Sequence, residues 1–106
     1  MNVVIHEAAG NEALDAAYDL ERAGAGAGPG ISFLSEYETV VLGISERPER
    51  YPLLETVPLE SGIRRGITKR FPYLVIDEIK ANHCRIIAVA HASRRPNYWS
   101  LRRRGI

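Results

Sequence analysis

The 106 residues suffice for one compact domain and are too few for two. Apolar residues make up 45% and charged residues 25%, the balance of a globular domain with a modest core, and no apolar run approaches bilayer-spanning length, so no membrane role is expected. The net charge of +1 conceals a polarised chain: residues 1–60 hold eleven acids and three bases, and residues 61–106 hold eleven bases and two acids. Such asymmetry suggests a face built for an anion, the alternative being that the two halves pair with each other. Five arginines between positions 94 and 104 favour the anion-binding reading. The lone Cys84 allows no internal disulfide, and MNVVIHEAAG lacks the regions of a secretory signal. Both features predict a reducing cytoplasm.

Val3, Val4 and Ile5 open the chain as a short strand. An Ala-, Leu- and Glu-rich helix follows over about Glu7 to Ala23, with Gly10-Asn11 as a weak point. Leu14, Ala17, Tyr18 and Glu21 share one side of it, and Ala13, Ala17 and Leu20 extend its apolar stripe. The run AGAGAGPG (23–30) is not followed by Lys-Ser or Lys-Thr and is not preceded by a buried strand, so it reads as a helix stop and turn, not as a phosphate loop. Pro29 suits the first turn of a second helix, over about Ile31 to Glu46. Its stripe is Leu34, Tyr37, Val41 and Ile44, widened by Phe33 and Val40. Pro48 stops it, and residues 47–62 are loop-like.

From Ile63 the pattern turns to strands. Ile63, Ile67 and Phe71 share a parity with Arg65 and Lys69. Tyr73 to Ile79 forms a second strand of this group, Lys80-Ala81-Asn82-His83 a hairpin turn, and Cys84 to Ala90 a third strand. The near-continuous apolar run of the last predicts a central strand buried on both faces. His91 to Ile106 is polar, arginine-rich and irregular, with Arg102 to Arg104 read as a mobile solvated tail. His6, His83 and Cys84 make no metal site, since adjacent strand residues point to opposite faces. The order β-α-α-β-β-β predicts a single α+β domain over 1–106: a helical hairpin packed on one face of a mainly antiparallel sheet, with the other face partly open.

This order, together with three segments, resembles the RelE/ParE toxins of bacterial type II toxin–antitoxin systems, also called plasmid stabilisation proteins. The segments are FLSEYETVVLGISERPERYPLL, the arginine-rich IRRGITKRFPYLV, and IIAVAHASRRPNYW. The resemblance implies a small cytoplasmic toxin neutralised by direct binding of a cognate antitoxin protein. RelE-like members cut mRNA, usually on the ribosome, without a metal or other cofactor. ParE-like members inhibit DNA gyrase and carry no nuclease site. A module that is not toxic is a third use of the scaffold.

RNA cleavage without a metal needs a base for the 2′-hydroxyl proton, cations for the phosphate and an acid for the leaving oxygen. His91, whose side-chain type titrates near neutrality, is the acid/base candidate, with Arg94 and Tyr98 as its catalytic companions. Arg65, Lys69, Arg70 and Arg95 are candidates for holding phosphate, where arginine's planar fork is the better fit. Each has a structural alternative: His91 as a cap at a strand end, Tyr98 and Trp99 as tail anchors, Arg70 as a partner of Asp77 or Glu78. His91 beside Arg94 and Tyr98 favours the endoribonuclease, so mRNA cleavage is the leading expectation, with the gyrase inhibitor and the non-toxic module as alternatives. Asp77 and Glu78, placed in the middle strand on the face that should receive a phosphate, where many relatives carry an aromatic and a basic residue, favour the gyrase inhibitor.

Overall fold

A computed structural model describes residues 1–24 and 28–104. Its elements are β1 (Asn2–Ile5), α1 (Glu7–Ala23), α2 (Pro29–Glu46), β2 (Ile63–Ile67), β3 (Tyr73–Ile79) and β4 (His83–His91), with short 3-10 turns at Pro48–Arg50, Leu59–Ser61 and Ser100–Arg104. The four strands form one sheet in the order β1-β4-β3-β2. β3 runs antiparallel to both β2 and β4, and β1 lies parallel to β4. The expected α+β architecture is the one observed. Residues 25–27 of the glycine-rich run lie outside the described residues. No helix among the described residues is long and apolar enough to cross a membrane.

α1 begins where His6 Nδ1 accepts the Ala8 N–H at 3.0 Å, leaving Glu7 in the dipole-favoured first turn. It runs unbroken through Gly10-Asn11. Its buried face is Ala9, Ala13, Ala16 and Ala17, with Leu20 packed at the margin. Leu14 and Tyr18, expected in the apolar stripe, are instead exposed. Small side chains let the helices approach closely: a Cβ on Gly30 of α2 would collide with the Ala17 carbonyl. Glu21 then caps α2 by accepting from the Gly28 and Gly30 N–H groups at 3.0 and 2.8 Å.

β4 is flanked on both sides, and Cys84 to Ala90 are all buried. The sheet face under the helices carries Val75, Cys84, Ile86 and Val89 against Phe33, Tyr37, Val40 and Ile44. The opposite face is not open. Leu54, Ile63, Ile76, Ile87, Ala88, Ala90 and Trp99 form a second core there, roofed by the loop before β2 and by the C-terminal segment. Because the chain returns over this face, Trp99 is 2% exposed. Ile67, which shares the parity of the buried Ile63, is exposed at the end of β2.

Candidate functional site

The site is built at the end of the sheet where β4 leaves it. Phe71 and Tyr73 converge on Phe33, with ring centroids 5.8 and 4.9 Å away. Pro72 between them accepts the Ala92 N–H at 2.6 Å. The Phe-Pro-Tyr run therefore fixes the exit of β4, and Tyr73, paired with His91 across the strands, meets the His91 ring edge-on at 5.2 Å. His91 Nδ1 faces the Ser93 N–H at 3.1 Å and the Ser93 hydroxyl at 2.8 Å. Acceptance of the backbone N–H puts the proton of the neutral ring on Nε2. The Arg94 N–H closes a turn onto the His91 carbonyl at 2.9 Å.

Beyond that turn the chain is pinned twice. Asn97, at φ 63°, exchanges two hydrogen bonds with Thr56, its Nδ2 donating to the Thr56 carbonyl at 2.8 Å and its Oδ1 accepting from the Thr56 hydroxyl at 2.9 Å. Tyr98 donates its hydroxyl to Glu12 Oε2 at 2.5 Å, and Arg102 grips the same carboxylate at 2.7 and 3.1 Å. The Arg94 guanidinium stacks on the Tyr98 ring, 3.9 Å from its centroid. Burial pushes the Glu12 carboxyl up, but the bonds from Arg102, Tyr98 and the Val89 N–H outweigh it and hold the group below the usual range. Burial and the same Glu12 bond push the Tyr98 hydroxyl well above its ordinary value.

The structure thus brings His91, Arg94 and Tyr98 together. His91 and Arg94 share a cleft with Glu12, Asp15, Asp19 and Tyr73. Arg95 lines a neighbouring hollow together with His91, Arg94, Tyr98 and Trp99. Lys69 and Arg70 lie in the β2–β3 turn at the same end of the sheet, and Arg65 lies within β2. Arg70 is bound to Glu36 at 2.6 Å, not to Asp77 or Glu78, and Arg65 is paired with Glu55 at 3.0 Å. Arg102 and Arg103 are not a free tail, since Arg102 holds Glu12 and Arg103 holds Glu78 at 2.9 Å.

Asp77 and Glu78 are misplaced by the sequence reading. Both are buried near the far end of β3, away from His91, which pairs with the first residue of that strand. Glu78 is held by Arg85, Arg103 and Lys80. The carboxylates that do flank the cleft come from α1. Glu12, Asp15 and Asp19 recur at helical spacing, and that periodicity was the available signal. Among the described residues no group of three or more His, Cys, Asp or Glu is arranged to hold a metal.

No family model matches this sequence, and no curated protein matches it. Among solved structures, the fold is shared by a chain described as "Chromosomal ParDE TA system from P. aeruginosa". The TM-score is 0.60 at 18% identity, over 88% of this chain and 97% of that one.

Proposed function

We propose that the chain is the toxin of a two-component toxin–antitoxin module and that it arrests growth by binding DNA gyrase, with no cleavage chemistry of its own. The toxin reading rests on the shared fold and on the three resembling segments. The choice of target rests on one observation: three of the groups expected to cut RNA, Tyr98, Arg65 and Arg70, are engaged by carboxylates, and further acids line the cleft. Tyr98, the candidate acid, gives its proton to a hydrogen bond with Glu12. Arg65 and Arg70 are ion-paired. Asp15 and Asp19 line the cleft that a phosphate must enter. Their charge repels a phosphate there, Asp15 more than Asp19, which is paired with Arg22 at 2.9 Å. The cleft is therefore better suited to a protein surface that presents both signs of charge. The cognate antitoxin is a second protein partner in this reading, and a reading frame adjacent to the gene is its expected source.

A second reading, metal-free mRNA cleavage, is favoured by His91, which is exposed and shares its cleft with Arg94. Induced expression separates the two. Growth arrest with intact transcripts, together with loss of DNA supercoiling by purified gyrase on adding the protein, supports the inhibitor. Transcript cleavage that disappears in His91→Ala and Arg94→Ala overturns it in favour of the nuclease. Absence of both arrest and inhibition overturns the toxin reading itself.

A further inference from the structure

We infer that Glu12 is a positioning residue for the His91–Arg94 cleft: through Tyr98, its carboxylate sets where the Arg94 guanidinium is presented to a partner. The inference rests on the reading that this cleft meets the target, whichever target that is.

The need for Glu12 begins with the sheet. β1 stops at Ile5, and the His6 N–H makes the last bond on that side, to the Ile86 carbonyl at 2.9 Å. On that side the β4 backbone then continues without a neighbouring strand, while β3 still pairs with its other edge, leaving groups that must find other partners. Two side chains supply them. Glu12 Oε1 accepts from the Val89 N–H at 3.0 Å, and Arg102 Nη1 donates to the Ile87 carbonyl at 3.2 Å. Glu12 and Arg102 also bind each other, so the pair replaces a missing strand and ties the C-terminal segment to α1.

Glu12 then has one lone pair free to accept, and the Tyr98 hydroxyl donates to it at Oε2. With donors from Val89, Arg102 and Tyr98, the carboxylate is saturated and has no further role as a ligand. The Tyr98 ring, held by its hydroxyl, is the surface on which Arg94 lies. Arg94 makes no ion pair among the described residues, and its backbone N–H is committed to His91. The direction of its guanidinium therefore follows the plane of the Tyr98 ring, and the ring follows Glu12. Arg102, 5.2 Å from the same ring centroid, backs it from the tail.

The test uses the full chain and four forms: wild type, Glu12→Gln, Tyr98→Phe and Tyr98→Leu. The Arg94 side-chain NMR resonances carry a ring-current shift in wild type and lose it in Tyr98→Leu. The inference expects Glu12→Gln and Tyr98→Phe to move those resonances part of the way while the thermal transition stays cooperative. Potency against the target falls by about tenfold in both, the size of a lost oriented cation–π contact. Tyr98→Phe keeps the Val89 and Arg102 bonds, so it carries the test if Glu12→Gln fails to fold. Unmoved Arg94 resonances in Tyr98→Phe overturn the inference. If the target proves to be RNA and not gyrase, the resonance measurement still decides the positioning role, so the two failures are distinguishable.

Discussion

Asp77 shows what one buried side chain does to the pH response. Neither of its carboxyl oxygens has a hydrogen-bond partner among the described residues, and it is 0% exposed. Burial pushes its pKa from 3.8 up to about 7, with Arg64 opposing and Glu78 adding to the rise. The folded chain thus holds a proton that the unfolded chain releases near pH 4. The associated stability is complete below that point and is lost as pH rises to about 7, a swing of roughly 4 kcal/mol. Asp77→Asn is expected to be more stable than wild type at pH 8, with the gap shrinking at pH 5, as read from urea midpoints. Glu12 runs the other way. Its lowered pKa stabilises the fold above the usual carboxylate range and stops doing so as acid titrates it. Sequence patterning grouped His91, Arg94 and Tyr98 because they are close along the chain, and the fold keeps them together. It misplaced Asp77 and Glu78 for two reasons. A register irregularity at Ile76/Asp77 breaks the two-residue alternation on which facing was judged. And the partners of Glu78, Arg85 and Arg103, come from a strand and a tail whose approach no local pattern encodes.

At the scale of elements, helix limits were readable because capping and termination are local: His6, Pro29 and Pro48 mark them. The C-terminal roof was not readable, because a polar, arginine-rich segment shows no periodicity, and only Trp99 hints that it packs. Trp99→Ala is expected to destabilise the fold by about 3–5 kcal/mol, measurable by denaturant titration, by emptying the second core. The loop between α2 and β2 is keyed by Tyr51, which wedges against two glycines. A Cβ on Gly66 would lie 2.5 Å from Val40 Cγ1 and 3.2 Å from Tyr51 Cε2, and one on Gly43 would overlap the Tyr51 hydroxyl. Gly66→Ala is expected to lower stability by about 1–3 kcal/mol, and Val40→Ala to cost less in that background than in wild type, because it relieves the tightest contact.

For the molecule as a whole, the opposed charges of the two halves turn out to be partly spent on each other. Glu12–Arg102, Glu36–Arg70 and Glu55–Arg65 each join an early acid to a late arginine. Lys69, Arg94 and Arg95 have no ion pair among the described residues. Binding to duplex DNA is therefore expected to be weak, with a log K against log salt slope of about 3 in magnitude, since each phosphate neutralised contributes ~0.9. Fluorescence anisotropy between about 50 and 200 mM salt measures it, and a slope of about 6 or more would mean that the paired arginines release their acids to engage phosphate. The parallel β1–β4 pairing has a consequence for how the protein comes into being. Asn2 finds its partner only at His83, so the strand made first on the ribosome waits for the strand made last. The helical hairpin is synthesised before the surface it covers, and the cleft at His91 cannot assemble on a partial chain. Closing so long a loop is slow compared with forming the hairpin. The interval between translation and a finished cleft is thus a period in which the chain exists without that surface.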